Sequence, residues 1–148
     1  MKTEQNENSF ESKRDEELSS YQDEYIELSS KGLKIYKYYF PLMLSKEIPI
    51  SKIKDINLIK LNMFNGRLRI AGFDLKLVYY PFDLIRCCKT YAITLNAENS
   101  WFTIGITPNN PEKCYKVLKY LMARSENNKE LSQDKEKASL KSEKDKIN

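Results

Sequence analysis

The chain contains no histidine among its 148 residues, and it has only three cysteines, four glycines and five prolines. Histidine is the side chain that proteins use most often as a general base and as a metal ligand. Two of the cysteines, Cys87 and Cys88, are adjacent, so there is neither a disulfide framework nor a C-x-x-C pair. We therefore expect a non-catalytic protein without metal or cofactor, in a reducing compartment such as the cytoplasm.

Long hydrophobic runs are also missing from the chain. The longest candidate, "LKIYKYYFPLML", is short and is interrupted by lysine and proline, whereas a helix that spans a bilayer needs about 20 apolar residues. The N-terminus is acidic and lacks the apolar centre of a signal peptide. We expect no transmembrane segment, and a protein that is cytoplasmic or peripheral to a membrane.

Charge is distributed unevenly, and this distribution predicts the domain organisation. Residues 1–20 carry six acids and three bases, residues 21–124 carry nine acids and 16 bases, and residues 125–148 carry six of each. The first and last segments have few apolar residues at any regular spacing, so neither can offset its ordering entropy. We predict a disordered acidic leader at 1–20, a basic domain at 21–124, and a disordered or fraying charged tail at 125–148.

The central segment is rich in strand patterns. β-branched and aromatic residues dominate seven stretches that are separated by turn signals, of which Asn65-Gly66 is the strongest. Those stretches are "DEYIELSS", "GLKIYKYYF", "SKIKDINLIKLN", "RLRIAGF", "DLKLVYY", "TYAITLN" and "SWFTIGIT". In the third of them the alternation slips between Ile53 and Ile56, which predicts a local irregularity in the strand.

One helix is predicted after the strands, in "NNPEKCYKVLKYLMARS". Asn110 is suited to the N-cap position and Pro111 to the first helical position. The apolar residues then follow at helical spacing and form one stripe, which another element must cover: Cys114, Val117, Leu118, Leu121 and Met122. Because all the strands precede the helix, we predict a mainly β, α+β fold, in which an antiparallel barrel or sandwich of about seven strands is capped by one C-terminal amphipathic helix.

Two stretches carry a family resemblance. "LKIYKYYFPLMLSKEIPISKIKDI" resembles the opening of the bacterial-type pleckstrin-homology (PH-like) domain family, a hairpin followed by an I-P-hydrophobic-S-x-I-x-x-I entry into the next strand. "IGITPNNPEKCYKVL" resembles that family's approach to its closing helix, and the resemblance covers residues 22 to 123. It implies a PH-like fold without common catalytic residues. The tryptophan-glycine usual before the aromatic loop reads "AGFDL" here.

Basic residues are the candidates for binding phosphate or lipid. In PH-like domains that bind phosphoinositides the first hairpin supplies the cations, and here that hairpin offers Lys31, Lys34 and Lys37. Arg67 and Arg69 follow the Asn65-Gly66 turn and are expected on one face of a strand. Arginine suits phosphate through its bidentate fork, although exposed cations are most often only solvated surface.

Three further features are open to a structural or a functional interpretation. Asp83 and Arg86 lie three residues apart, as in a D-x-x-R pattern that small PH-like proteins share, and we expect them to hold the shape of a loop. Tyr79-Tyr80-Pro81-Phe82 suits a loop that inserts at a membrane interface or in a peptide groove. Cys87 and Cys88 are either small buried residues or sites of acylation.

Two functions fit these observations. The first is a binding module that docks reversibly on anionic membrane or phosphoinositide surfaces, and the second is a protein-interaction or assembly module without lipid binding. The partner is thus an anionic lipid or a protein, and a homo-oligomer is left open. Nucleic acid is not expected, because the leader is acidic and no RGG-like or RNP-like motif occurs.

Overall fold

The computed structural model describes residues 18–64 and 66–144, with side chains up to residue 133. Within these residues the chain forms nine strands, two short 3-10 turns and one long helix. Most of the predicted acidic leader, at 1–17, and the last residues of the predicted tail, at 145–148, lie outside the described residues. The predicted boundaries of the domain stay a prediction.

The first sheet is an antiparallel meander of four strands in chain order. Apolar residues alternate along β2 and β3, so that Ile26 pairs with Ile35 and Leu28 pairs with Leu33 on one buried face. The register between β3 and β4 shifts between Ile35 and Tyr39. The strands are β1 (Tyr21–Gln22), β2 (Ile26–Ser29), β3 (Gly32–Tyr39) and β4 (Leu44–Ile48).

The second sheet contains five strands in the order β5-β8-β9-β7-β6. A 3-10 turn at Ile50–Lys52 leads into it, and a second one at Arg86–Cys88 precedes β8. The register shifts between Ile53 and Asp55, which confirms the irregularity predicted there. The strands are β5 (Ile53–Lys60), β6 (Gly72–Phe73), β7 (Val78–Tyr80), β8 (Tyr91–Ala97) and β9 (Thr103–Ile106).

The expectation of a wholly antiparallel set of about seven strands needs correction. Nine strands are present in the described residues, because β1 and the short β4 add to the predicted set. One pair, β7 with β9, is parallel. In the sequence, strand β7 lies between β5 and β8. In the sheet it lies next to β9, on the side opposite β8, and it runs in the same direction as β9.

The core lies between the two sheets and is closed by the helix. It contains buried apolar side chains from β2, β3, β8, β9 and the helix, including Leu33, Leu95, Ile104 and Leu118. Among the described residues no strand of the first sheet pairs with a strand of the second. The fold is therefore mainly β with two sheets and a C-terminal helix. Of the two expected alternatives, barrel and sandwich, closure into a barrel does not occur within the described residues.

Helix α1 spans Pro111–Lys144. Its N-cap is the predicted one, because Oδ1 of Asn110 accepts the backbone N–H of Lys113 at 3.0 Å. The predicted stripe faces the core, since Cys114, Val117, Leu118 and Leu121 are buried. The helix continues beyond residue 124, where the predicted domain ends.

Candidate functional site

Several loops of the structure expose large apolar side chains, and three of these loops contact one another. The turn between β3 and β4 exposes Phe40 and Leu42, with exposed fractions of 52% and 73%. The segments 66–70 and 82–85, which lie between β5 and β8, add further exposed leucine and isoleucine. We call this surface the loop face, and it consists of Phe40, Leu42, Leu68, Ile70, Leu84 and Ile85.

The three loops are joined to one another by direct contacts. The rings of Phe40 and Phe82 stack with centroids 5.6 Å apart, and the backbone N–H of Phe82 donates to the carbonyl of Lys37 at 3.2 Å. The backbone N–H of Asp83 donates to the carbonyl of Ile70 at 2.9 Å. The loop face is therefore one connected surface rather than three independent loop tips.

Arg86 is buried next to the loop face and connects two of its segments by hydrogen bonds. Its side chain is only 1% exposed, and its guanidinium donates to the carbonyl of Arg69 at 2.7 Å and to the carbonyl of Pro81. The guanidinium also lies 4.8 Å from the centroid of the Tyr80 ring. Burial lowers the pKa of Arg86 from its ordinary value. One buried cation thus fixes two backbone segments at once.

Asp83 also stabilises this loop, through hydrogen bonds to three other residues. Its Oδ1 accepts the backbone N–H of Ile85 at 3.0 Å, and its Oδ2 accepts the hydroxyl of Thr107 at 2.7 Å and Nζ of Lys89 at 2.9 Å. Burial raises the pKa of Asp83, but the bonds from Thr107 and Lys89 and the charge of Lys89 outweigh it, so the pKa is lowered. Asp83 forms its ion pair with Lys89 and not with Arg86.

The loop face carries cations but no exposed acid. Lys37, Arg67 and Arg69 are exposed beside the apolar side chains, and Nε of Arg67 donates to the carbonyl of Cys87 at 3.0 Å. In the segments 37–46, 66–70 and 81–90 the single acid is Asp83, which is 2% exposed and paired. The surface therefore combines apolar side chains with net positive charge.

The predicted phosphate-binding residues do not form one group. Lys31 lies in the turn before β3, and Lys34 near the start of β3 forms an ion pair with Glu47 at 3.1 Å. Lys37, Arg67 and Arg69 lie at the other end of that strand. Lys31 lies six residues before Lys37, which corresponds to about 20 Å at about 3.3 Å per residue of strand, and Lys34 between them is paired with Glu47. A single small ligand does not reach all five side chains.

One local prediction about this region is wrong. Arg67 and Arg69 were expected on a strand, but only Gly72–Phe73 of "RLRIAGF" is a strand. Gly66 has a positive φ of 95°, and Gly72, the first residue of β6, has a positive φ of 103°. The carbonyl of Arg69 accepts from Arg86 and not from a neighbouring strand.

The expected insertion of Tyr79-Tyr80-Pro81-Phe82 is also wrong in its residues. Tyr79 and Tyr80 belong to β7, and the Tyr80 side chain is completely buried. Pro81 is buried as well, and Phe82 is half-buried against Phe40. The exposed apolar side chains lie at Leu84 and Ile85, after the aromatic run.

Sequence reasoning did not identify the loop face. Its signal is present in "FPLML", an apolar run without alternation that directly follows a strand and contains a proline. In "RLRI" arginine alternates with leucine and isoleucine, and this pattern predicts a strand with one buried apolar face. The exposure of Leu68 and Ile70 is therefore not predicted by it.

The cysteines divide into two environments. Cys87 and Cys88 are exposed in the 3-10 turn beside the loop face, with sulfur atoms 3.7 Å apart, whereas Cys114 is buried in the core. The interpretation of Cys87 and Cys88 as small buried residues is therefore wrong. Burial raises the pKa of the Cys114 thiol.

No cluster of three or more potential metal ligands occurs within residues 18–64 and 66–144. In that same part of the chain, no helix combines the length and the apolar character that crossing a bilayer requires. Neither a family model, nor a curated protein, nor a solved structure matches the chain.

Proposed function

We propose that the protein is a non-catalytic module that docks reversibly on an anionic membrane surface through the loop face. The observation that carries this proposal is the combination on one connected surface of exposed leucine, isoleucine and phenylalanine with Lys37, Arg67 and Arg69, and without an exposed acid. Apolar side chains enter the boundary between headgroups and acyl chains, and nearby cations attract anionic lipid.

The same proposal includes a PH-like fold. It is supported by a meander, a second sheet and a closing helix in that order, and by the resemblance of the sequence. The parallel pairing of β7 with β9 is a departure from an antiparallel PH-like arrangement. The free cysteines support a place in the cytoplasm, where thiols stay reduced and the facing leaflet is anionic.

The second candidate is a protein-interaction module that uses the same surface. Contiguous apolar patches also mark protein interfaces. Membrane docking fits the loop face better, because its apolar residues are loop-borne and its charge has one sign. A protein partner would bind in the absence of lipid, and this separates the two functions.

Co-sedimentation of the full chain with vesicles tests the proposal. Neutral, phosphatidylserine-containing and phosphoinositide-containing vesicles are compared at low and near-physiological salt. We expect binding to the anionic vesicles only, weakened by salt. A preference for phosphoinositide over phosphatidylserine at equal charge would identify the headgroup as the ligand.

Charge variants sharpen this test. Arg69→Gln is expected to weaken binding to anionic vesicles about fivefold, because one cation near an anionic surface contributes about that factor. The matched control is Lys116→Gln, which removes an exposed cation from α1, away from the loop face. Binding to no vesicle, or an equal loss in both variants, contradicts docking through the loop face.

A further inference from the structure

A second surface, independent of the loop face, has the properties of a ligand site. An open cleft of about 800 Å³ lies between the β2–β3 turn, the 3-10 turn Ile50–Lys52 and the middle of α1. Its described lining includes six serines, one asparagine, one glutamine, Arg124 and Lys129, with Leu121 as the one large apolar residue. No carboxylate belongs to that lining.

The two cations of the cleft differ in how they are held. Nζ of Lys129 donates to the carbonyl of Ser51 at 2.8 Å, which fixes the ammonium between α1 and the 3-10 turn while leaving it two further donors. Arg124 is exposed and makes no hydrogen bond or ion pair with the described residues. Its guanidinium fork is therefore free to bind a phosphate in the bidentate manner that suits arginine.

The serine and amide side chains of the lining indicate which groups the ligand carries besides a phosphate. Pockets for small molecules are usually lined mainly by apolar side chains with a few polar groups, whereas ten of the eleven residues that line this cleft are polar or charged. Hydroxyl and amide side chains such as those of Ser29, Ser51 and Asn128 both donate and accept hydrogen bonds. They match a ligand that carries several hydroxyl groups.

We propose that this cleft binds a free phosphorylated sugar, whose phosphate contacts Arg124 and Lys129 and whose hydroxyl groups contact the serine and amide side chains. A phosphoinositide headgroup has the same chemistry. The cleft, however, lies at the β2–β3 turn, whereas the loop face begins at the other end of β3, about 25 Å away for a strand of eight residues. A ligand in solution reaches the cleft whether or not the loop face is docked.

Isothermal titration of the full chain with glucose 6-phosphate, glucose and inorganic phosphate tests the proposal. Glucose 6-phosphate is expected to bind most tightly, inorganic phosphate less tightly, and glucose without detectable heat at millimolar concentration. Arg124→Gln is expected to lower the affinity for glucose 6-phosphate by about tenfold or more, because it removes charged hydrogen bonds. Lys116→Gln removes an exposed cation of α1 that does not line the cleft, and it is expected to change nothing.

Four outcomes would overturn the proposal. The first is that neither glucose 6-phosphate nor inorganic phosphate binds, and the second is that Arg124→Gln and Lys116→Gln lose affinity for glucose 6-phosphate equally. The third is that inorganic phosphate and glucose 6-phosphate bind with equal affinity. The fourth is that Arg124→Gln loses binding to phosphoinositide vesicles while its affinity for glucose 6-phosphate is unchanged. The last would assign the cleft to a lipid headgroup. Docking through the loop face is tested separately, with phosphatidylserine-containing vesicles and Arg69→Gln.

Discussion

Arg86 is the residue that connects most of the candidate surface. Its guanidinium is buried and donates to the carbonyls of Arg69 and Pro81, in two segments that are apart in sequence. A buried acceptor that loses its donor keeps its full desolvation cost. The side chain therefore contributes to the stability of the fold as well as to the shape of the loop face.

Replacing Arg86 by methionine tests this role. Arg86→Met keeps a long side chain but removes both charged hydrogen bonds, each of which contributes roughly 1.5–3 kcal/mol, so we expect the free energy of unfolding to fall by about 3 kcal/mol. Urea denaturation measures it. The matched control is Arg124→Met at an exposed site of α1, where we expect little change. An unchanged unfolding midpoint in Arg86→Met, together with lost vesicle binding, would assign Arg86 to a ligand instead.

Asp83 makes the stability dependent on pH. Its pKa in the folded protein is lowered from the usual value of 3.8. A lowered folded-state pKa means that the carboxylate stabilises the fold above the unfolded-state value, and that this contribution disappears as the pH falls through the folded-state value. The affected range is therefore below about pH 4.

Asp83→Asn should remove that contribution. We expect the wild-type protein to lose more free energy of unfolding between about pH 7 and about pH 3 than the variant does. The measurement is denaturant unfolding at both pH values. Asp55→Asn, at an exposed aspartate, should behave like the wild type. Equal pH dependence in Asp83→Asn and the wild type would contradict the account of the Asp83, Lys89 and Thr107 contacts.

At the scale of elements, the position of β7 depends on two glycines. A Cβ at Gly66 would lie 2.4 Å from the Tyr80 ring, and a Cβ at Gly105 in β9 would lie 2.3 Å from the same ring. The Tyr80 side chain thus fits between the loop before Arg67 and strand β9. This contact fixes β7 beside β9 and places the following residues, 82–85, on the loop face.

The tight fit around Tyr80 predicts a coupling between two sites. Gly105→Ala alone should lower the free energy of unfolding by about 2 kcal/mol, as overpacking of a core typically does. In a Tyr80→Leu background the added methyl group has more room, so the same substitution should cost clearly less. A double-mutant cycle by denaturant unfolding measures the difference. Additive effects would show that the ring does not limit this position.

The elements with strong periodicity could be predicted from the sequence. Helix α1 has its predicted N-cap at Asn110 and its predicted buried stripe, because both signals are local. The segment 66–73 was not predictable in this way. The carbonyls of Arg69 and Ile70 accept from the Arg86 side chain and from the N–H of Asp83, and these contacts depend on residues more than a dozen positions away.

At the scale of the molecule, the candidate surfaces were only partly visible in the sequence. The basic residues Lys37, Arg67 and Arg69 were among the predicted candidates, but their separation from Lys31 and Lys34 follows from the direction of β3. The loop face itself requires that two loops between β5 and β8 meet the β3–β4 turn. Alternation patterns contain no information on such a meeting.

The central claim is that exposed apolar side chains of the loop face enter a membrane. The most direct measurement is co-sedimentation with phosphatidylserine-containing vesicles at near-physiological salt, using the wild type, the double variant Leu42→Ser/Leu84→Ser, and Leu131→Ser as a control. Leu131 is an exposed leucine of α1, with an exposed fraction of 60%.

Burying one leucine side chain contributes roughly 1.5–3 kcal/mol, so partial insertion of two leucines predicts at least a tenfold loss of binding in the double variant. The Leu131→Ser protein should bind as the wild type does. If the double variant and the wild type sediment equally with these vesicles, or if the wild type does not sediment with them at all, the loop face does not dock on membranes.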